Sequence, residues 1–529
     1  MKSASLSQKR FLSEPPNVKL VNYFPGGYDN AVATARSCYS PKVITSEEVS
    51  RDEPSRERRD AIAQSIYKAG HHTTFQHATF QFALEKVSRQ FIWSFLHSHP
   101  FYNSEQVSQR YVEMKPEHVT VPLLDEKLEA VYRKTVSFQM EAYQKLIGLL
   151  EPTVKAEYAK IFPKHDPSEK KWAGVIRKKT LEVARYVLPV ATHAHLYHTV
   201  SGLTLHRYHR LCEQFDTPTE SRYVVEKMIE AVDAVDPDFF RCLEEAMPLA
   251  KTPEFEFFQN IQGSERSGTG EHFIQEFDEA LGGFTSVLMD YKVNSEKTMA
   301  QAVRSVLGMR SVWMKDEEAI DLVLNPEKNS FLSETLTLTT LGKLTRTMIH
   351  PHFTFKKKLS HTADSQDQRH RMTPGSRPIL SRHLVPSKPD YVVPLLIQMN
   401  PEALSYYHEG MRVIWEAVTR LLDAGVKEEF ALYLLPNAFP IRFEESGDLL
   451  NFHHKWTQRL CYNAQEEIWK SCFEEVMQVK RVFPNIGKYL AAPCWTRRKT
   501  GVQPFCPEGE RYCGVPVWEL PLEHYRRII

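Results

Sequence analysis

The sequence predicts a helix-rich α+β protein built from two diverged tandem copies of one domain, followed by a C-terminal tail, and three observations lead there. Apolar residues recur three and four apart over long stretches, the helical period. Two short runs, "ATFQFALEKV" and "HFTFKKKL", alternate apolar and polar residues as half-buried strands do. The motifs of the first half return in the second in the same order, the mark of a duplication.

Taken in order, "SRERRDAIAQSIYKAG", "EKLEAVYRKTVSFQMEAYQKLIGLL" and "SRYVVEKMIEAVDAV" are helices of the first half; "YYHEGMRVIWEAVTRLLDAG" and "QEEIWKSCFEEVMQV" are helices of the second. In each half an F-x-F strand (Phe80, Phe82; Phe353, Phe355) leads to a serine, Ser88 or Ser360, and then to a helix-like segment. Further on, "EVARYVLPVAT" (Glu182 to Thr192) and "EFALYLLPNAF" (Glu429 to Phe439) lead to "HTVSGLTLHRYHRLC" and "EESGDLLNFHHKWTQRLC". The expected organisation is a first copy over 1–240, a linker region over 241–285, a second copy over 286–480 and a tail over 481–529. "QNIQGSERSGTGEHF" has the Gly, Ser and charge of a surface linker, and proline is too frequent in the tail for a helix.

At 529 residues the chain exceeds one ordinary core. A net charge of +1 argues against a protein that coats nucleic acid or a membrane surface, since both need surplus positive charge. The start lacks the apolar core of a signal peptide, and no window holds the roughly 18 apolar residues that span a bilayer, so a cytoplasmic protein is expected. Eight dispersed cysteines fit reduced thiols. Only Cys494, Cys506 and Cys513 cluster; with His524 they form a candidate zinc set, against the default of buried inert thiols.

The chemistry-bearing stretch of the first copy is "GHHTTFQHATFQFALEKVSRQFIWSFLHSHPFYNSEQVSQRYV". It resembles the central signature of flavin-dependent thymidylate synthases: His71, Thr73, Gln76, His77, Ser88, Arg89, Ser108, Arg110 and Tyr111 match. The family's R-H-R is missing, with His97-Ser98-His99 in its place, and His97 and His99 read as relics near the vacated site. Counted from Ser360, the second copy keeps Gln366 and Arg369-His370-Arg371, but its next loop, "MTPGSRPIL", has lost S-x-R-Y. The later motifs divide the same way. The first copy keeps Arg185 in "VARYVLP" and has Cys212 where a later arginine belongs; the second has Leu432 for the first arginine and keeps Arg459 in "RLCYNAQEEI". Each copy has lost what the other preserves.

The resemblance implies two copies of a domain with a small antiparallel sheet plus helices, FAD as cofactor, and NADPH and methylenetetrahydrofolate as co-substrates for methylating dUMP to dTMP. It assigns substrate contacts to Gln106, Ser108, Arg110, Arg185, Gln366, Arg369 and Arg459, with Arg459 and Ser108 at the chemistry, and flavin contacts to His71, Thr73, Arg369, His370, Arg371 and His454. It implies no metal. Family sites form between subunits of a homotetramer, so a homodimer acting as a pseudo-tetramer, with composite sites shared between copies, is expected. Physical chemistry agrees in one respect: a nucleotide phosphate needs several donors from different directions, and guanidinium forks supply them. A helix over 360–371 would set Gln366, Arg369 and His370 on one face. The alternatives are a satisfied core histidine at His71, a helix cap at Ser108, and, for the whole chain, a non-catalytic flavin- or nucleotide-binding paralogue or a flavin-dependent methyltransferase acting on another uracil-containing substrate.

Overall fold

A computed structural model describes residues 9–97, 101–260 and 269–529. Each F-x-F run is an inner strand of its own antiparallel sheet. The first repeat runs β1 (Asn17–Tyr23), α1 (Gly27–Ser37), β2 (Thr79–Ser88), α2 (Arg89–His97), β3 (Tyr102–Gln106), β4 (His193–Ser201), α3 (Gly202–Leu211) and α4 (Pro218–Asp233). The second runs β5 (Ser286–Tyr291), α5 (Ser295–Leu307), β6 (His352–Ser360), α6 (His361–Asp367), β7 (Pro440–Asp448), α7 (Leu449–Arg459) and α8 (Glu466–Val482). The strand orders are β1-β2-β4-β3 and β5-β6-β7. The register pairs Phe82 with His198 in one sheet and Phe355 with Glu445 in the other. All four F-x-F phenylalanines are fully buried on the helix-covered faces.

Hydroxyl and carboxylate caps turn strand into helix at corresponding places. Ser360 Oγ accepts from Ala363 N (3.1 Å), Ser88 Oγ from Phe91 N (2.8 Å), Ser201 Oγ from Thr204 N (3.3 Å) and Asp448 Oδ1 from Asn451 N (3.0 Å). Each satisfies an N–H that the new helix leaves without a partner. A bulge distinguishes the repeats: the β2 register slips between Leu84 and Val87, with Lys86 at φ 55°. Ser88 therefore lies one residue farther from its F-x-F pair than Ser360 does.

The chain folds into two compact units that exchange segments between the repeats. One comprises residues up to Met140, Leu188–Ser267 and Val413–Leu435; the other comprises Glu141–Val187, Gly268–Arg412 and Pro436–Ile529. In the first unit Glu220 accepts from Ser88 N (2.8 Å), Ser88 Oγ (2.6 Å) and the Tyr433 hydroxyl, the tyrosine coming from the second repeat. In the second, Glu467 accepts from Ser360 N (2.8 Å), Ser360 Oγ and the Tyr186 hydroxyl, now from the first repeat. "ARYVLP" and "ALYLLP" thus each insert a tyrosine beside the other repeat's glutamate.

Burial pushes the Glu220 carboxyl up to about 7 despite these donors. An unfolded glutamate titrates near ~4.3. Between these values the folded chain holds the extra proton, so stability falls as pH rises from about 4.5 to about 7. Glu220→Gln is expected to reduce that slope in urea unfolding. It will not abolish it, because burial also pushes Glu466 up to about 7. An unchanged slope would show that Glu220 titrates normally.

The five helical stretches are helices, including Glu53–Lys68, Glu126–Ile161 and Pro401–Asp423. Within 241–285 the chain forms helices at Pro253–Asn260 and Thr269–Leu281, and residues 261–268 of the expected linker lie outside the described residues. One region, the tail, differs from expectation. It contains the helix Pro493–Lys499, with proline in the first turn, where its missing N–H costs nothing. No helix among the described residues is long and apolar enough to cross a membrane.

Candidate active site

In the second unit, α6 carries Gln366 and ends at Asp367, so the expected helix through Arg371 is not formed. The chain tightens instead: Arg369 N bonds to Gln366 O (3.3 Å) and His370 N to Asp367 O (3.0 Å). Thr373 Oγ1 holds the turn, lying 3.0 Å from His370 O and 2.9 Å from Glu445 Oε1. The result gathers the expected residues by another route.

Arg459, at the end of α7, donates from Nε to His370 Nε2 (2.8 Å) and from Nη2 to Gln366 O (3.3 Å). His370 must then be neutral with its proton on Nδ1. That agrees with burial, Arg459 and Lys455, which together hold it well below the usual histidine range. The His454 ring is 6.0 Å from that of His370, and burial and Arg459 lower it as well. Gln366 Nε2 is buried with no partner among the described residues, a donor left for a ligand. Arg369 is exposed and Arg371 half-buried.

Arg185 belongs to this same unit although it comes from the first repeat. It is buried, its Nε donates to Glu182 O (3.1 Å), and its carbonyl accepts from Asn437 Nδ2 (3.0 Å). Asn437 O in turn accepts from Thr362 N in the first turn of α6 (3.1 Å). Asn437, through its side-chain amide and its carbonyl, therefore links Arg185 to the helix that carries Gln366.

Beneath the turn lies a feature the sequence reading missed. Lys357 Nζ is 2.9 Å from Glu445, 2.9 Å from Glu475 and 3.3 Å from Asp367; Lys455 Nζ is 2.8 Å from Asp367 and also meets Glu445. All five side chains are essentially fully buried. One signal was available: alternation in "HFTFKKKL" puts Lys357 on the inward face with Phe353 and Phe355. A lysine there requires buried carboxylates.

The first unit holds the other expected residues. Arg89 Nη1 donates to Gln106 Oε1 (3.0 Å) and Nη2 to Val107 O (2.6 Å), which fixes the end of β3. Ser108 Oγ accepts from Arg110 N (3.2 Å) in a turn rather than at a helix start, and the Arg110 guanidinium lies 5.5 Å from the Tyr111 ring centre. His71 and Thr73 are exposed at the start of the 3-10 turn His72–Gln76, so His71 is not a core histidine. His97 Nδ1 is bonded to Trp93 O (2.7 Å); Ser98 and His99 lie outside the described residues. Cys38 is exposed.

Cys461, Cys494, Cys506 and Cys513 line one small enclosed pocket of the tail, and His524 is not among its walls. All eight cysteines are free thiols. Burial pushes Cys461 up to about 11 and Cys494 up to about 12. Among the described residues no group of three or more His, Cys, Asp or Glu is placed to hold a metal.

Residues 19–238 and 287–485 match the family model described as Thymidylate synthase complementing protein. Among curated relatives, a flavin-dependent thymidylate synthase of Clostridium tetani is 28% identical over 252 residues, covering 45% of this chain and 94% of that protein. Another from Geobacter sulfurreducens is 30% identical over 169 residues, 31% of this chain and 69% of that protein. Among solved structures, the UMP/dUMP methylase PolB of Streptomyces cacaoi bound with 5-Br dUMP is 18% identical with a TM-score of 0.32, over 45% of this chain and 99% of that one. A flavin-dependent thymidylate synthase from Helicobacter pylori complexed with FAD and dUMP is 14% identical with a TM-score of 0.30, over 43% and 100%.

Proposed function

Because this chain belongs to the thymidylate synthase complementing protein family and matches it twice along one sequence, we propose that it is a tandem flavin-dependent thymidylate synthase, an enzyme that reductively methylates dUMP to dTMP. The single observation that carries the assignment of a working site is the lock of Arg459 onto His370 and the Gln366 carbonyl, beside a buried Gln366 Nε2 that has no partner among the described residues. In this reading the site is composite. The first repeat supplies Gln106, Ser108, Arg110 and Arg185, and the second supplies Gln366, Arg369 and Arg459.

The residues fit the implied groups. The turn Arg369–Arg371 offers guanidiniums suited to flavin phosphates, beside His370 and His454, and His71 and Thr73 present exposed polar atoms. Bound FAD would supply reducing equivalents drawn from NADPH, and methylenetetrahydrofolate the carbon. The chain's own part is to bind and orient. Arg110, Arg185 and Arg369 would fix the substrate phosphate and ring, with Gln106, Ser108 and Gln366 donating at its polar edge. Arg459, held rigid by His370, would stabilise negative charge that develops on the uracil as C5 becomes nucleophilic. Two chains would assemble as a pseudo-tetramer in the cytoplasm, with two composite sites.

The test is growth of a thymidine auxotroph without thymidine when it carries this gene, with flavin counted in the purified protein. Growth together with two flavins per dimer is expected. A protein that binds flavin but does not rescue growth would be a non-catalytic paralogue or act on another uracil substrate.

A further inference from the structure

Cys461, Tyr462 and Asn463, which follow closely on Arg459, are each held by the tail. Cys461 lines the pocket it shares with Cys494, Cys506 and Cys513, the Tyr462 hydroxyl accepts from Arg526 N (2.6 Å), and Asn463 Nδ2 donates to Arg511 O (2.6 Å). Tyr525 is buried with its ring centre 6.1 Å from that of Tyr462, and its hydroxyl accepts from Ala492 N (3.4 Å). The family match ends at residue 485, so this cover is an addition to the matched segments.

The anchored tail carries Arg527 inward. Its side chain is 2% exposed, Nε donates to Tyr462 O (2.9 Å), and Nη2 lies 3.7 Å from Glu182 Oε1. Glu182 sits in the last turn of the helix Lys170–Ala184, and its carbonyl accepts from Arg185 Nε (3.1 Å). Glu466 faces the same group: burial pushes its carboxyl up, Arg527 opposes the rise, and Glu467 and Glu182 add to it. One guanidinium therefore touches the segment after Arg459 and the segment before Arg185, one from each repeat.

The first unit, to which the tail does not belong, solves the same corner differently. Counting from Tyr186 and Tyr433 aligns Glu182 with Glu429 and Arg185 with Leu432; counting back from Glu467 and Glu220 aligns Glu466 with Thr219 and Arg459 with Cys212. There Glu429 accepts from Thr219 N (2.9 Å) and Thr219 Oγ1 (2.7 Å), a contact with a neutral partner that needs no cation. In the second unit a carboxylate replaces that hydroxyl, and two carboxylates drawn together out of water are unfavourable unless a cation joins them. Arg527 is that cation, and it stands at the corner that keeps both arginines.

We propose that Arg527 is a positioning residue of the composite site: by binding Glu182 and the Tyr462 carbonyl beside Glu466, it fixes the two segments from which Arg185 and Arg459 reach the substrate. This role rests on the thymidylate reaction proposed above. A guanidinium suits it because a planar fork serves a carboxylate and a carbonyl at once, whereas an ammonium is a point charge. Arg526 supplies the control. It is exposed, and its guanidinium donates to tail carbonyls, Glu523 O (3.0 Å) and Tyr525 O (2.7 Å).

The experiment measures kcat and KM for dUMP, per bound flavin, in the full chain and in Arg527→Ala, Arg527→Lys, Arg526→Ala and Arg527→Ala/Glu466→Gln, with urea unfolding alongside. Arg527→Ala is expected to lower kcat/KM roughly tenfold or more, as misplaced catalytic groups do. Arg527→Lys should fall between it and the parent, and Arg526→Ala should match the parent. Glu466→Gln removes one of the two charges while keeping an acceptor for Leu395 N, so the double variant should regain most of the loss. If Arg527→Ala does not load flavin, Arg527→Lys carries the test with the same two outcomes. A variant that unfolds at lower urea but keeps parental kcat and KM would make Arg527 merely structural and overturn the role, as would a loss that Glu466→Gln fails to restore. A parent that forms no thymidylate would overturn the reaction and this role with it; an active parent with an unaffected Arg527→Ala would overturn the role alone.

Discussion

Arg459→Ala is expected to lower kcat for thymidylate formation about a hundred- to a thousandfold, the usual loss when one fixed donor to a developing oxyanion is removed. Arg459 is well suited to that role because its fork is already organised. Nε is occupied by a neutral imidazole and Nη2 by a backbone carbonyl, so little orientation entropy remains to be lost when charge develops. Arg459→Lys should recover little, since an ammonium cannot hold His370 and Gln366 O in one plane. His370→Asn should act indirectly, releasing Arg459 and lowering kcat less than Arg459→Ala does. Steady-state kinetics separate the outcomes: a variant with parental kcat and only a raised KM would place Arg459 in ground-state binding rather than at the chemistry.

Lys357→Met is expected to destabilise the chain by about 3–5 kcal/mol, the range for removing one partner of a buried ion pair. Lys357 contacts three carboxylates, and the substitution would leave Asp367, Glu445 and Glu475 with Lys455 alone. Trp456 Nε1, Ser286 Oγ and Ser471 Oγ donate to Glu475 at 2.7, 2.9 and 3.0 Å, which offsets part of its desolvation but not its charge. Burial raises the Asp367 and Glu475 carboxyls, yet the lysines outweigh it and hold both below the usual carboxylate range. Burial lowers Lys357, yet the carboxylates outweigh it and hold it well above its usual range. Depressed acids contribute stability above their unfolded pKa that is lost as pH falls; a raised lysine contributes stability that is lost at high pH. The cluster is therefore expected to contribute steadily between about pH 5 and 9. Urea unfolding of Lys357→Met at pH 7 tests this, and a loss under 1 kcal/mol would mean that water or relaxation compensates the vacated charge.

The first repeat shows that this fold does not require the cluster. Leu84, Phe95, His198, Tyr208 and Met228 stand at the positions of Lys357, Asp367, Glu445, Lys455 and Glu475, and all are buried. Phe95 packs against Tyr208 with ring centres 4.3 Å apart and against His198 at 5.2 Å. An uncharged, largely aromatic core filling the same space, with His198 Nε2 3.2 Å from the Tyr208 hydroxyl, in the repeat that lost R-H-R associates the ionic version with the repeat that kept it. Asp367 adjoins His370 through the turn, so the cluster's rigidity bears directly on Arg459.

Much of the fold was legible because its signals are local. Alternation in "ATFQFALEKV" and "HFTFKKKL" and the helical period of "QEEIWKSCFEEVMQV" depend on residues within a few positions of one another, and the strands and helix follow. The complementary decay of the two copies was also visible, since motif spacing survives divergence. The end of α6 at Asp367 was not visible, because the competing bond is from Thr373 to Glu445, 72 residues along the chain. Nor was the meeting of four cysteines in one pocket of the tail.

By itself the sequence determined that this is a duplicated, helix-rich chain whose second copy carries Gln366, Arg369, His370 and Arg459 and whose first carries Ser108, Arg110 and Arg185. Only the tertiary structure decided which of these meet. It locked Arg459 to His370, put Arg185 in the unit of Gln366 rather than in that of Ser108, and set Tyr186 beside Glu467, 281 residues away. The physical reason is that periodicity specifies which face of an element is buried, while the partner of a buried hydroxyl, carboxylate or ammonium is set by whichever distant group can satisfy it once water is excluded.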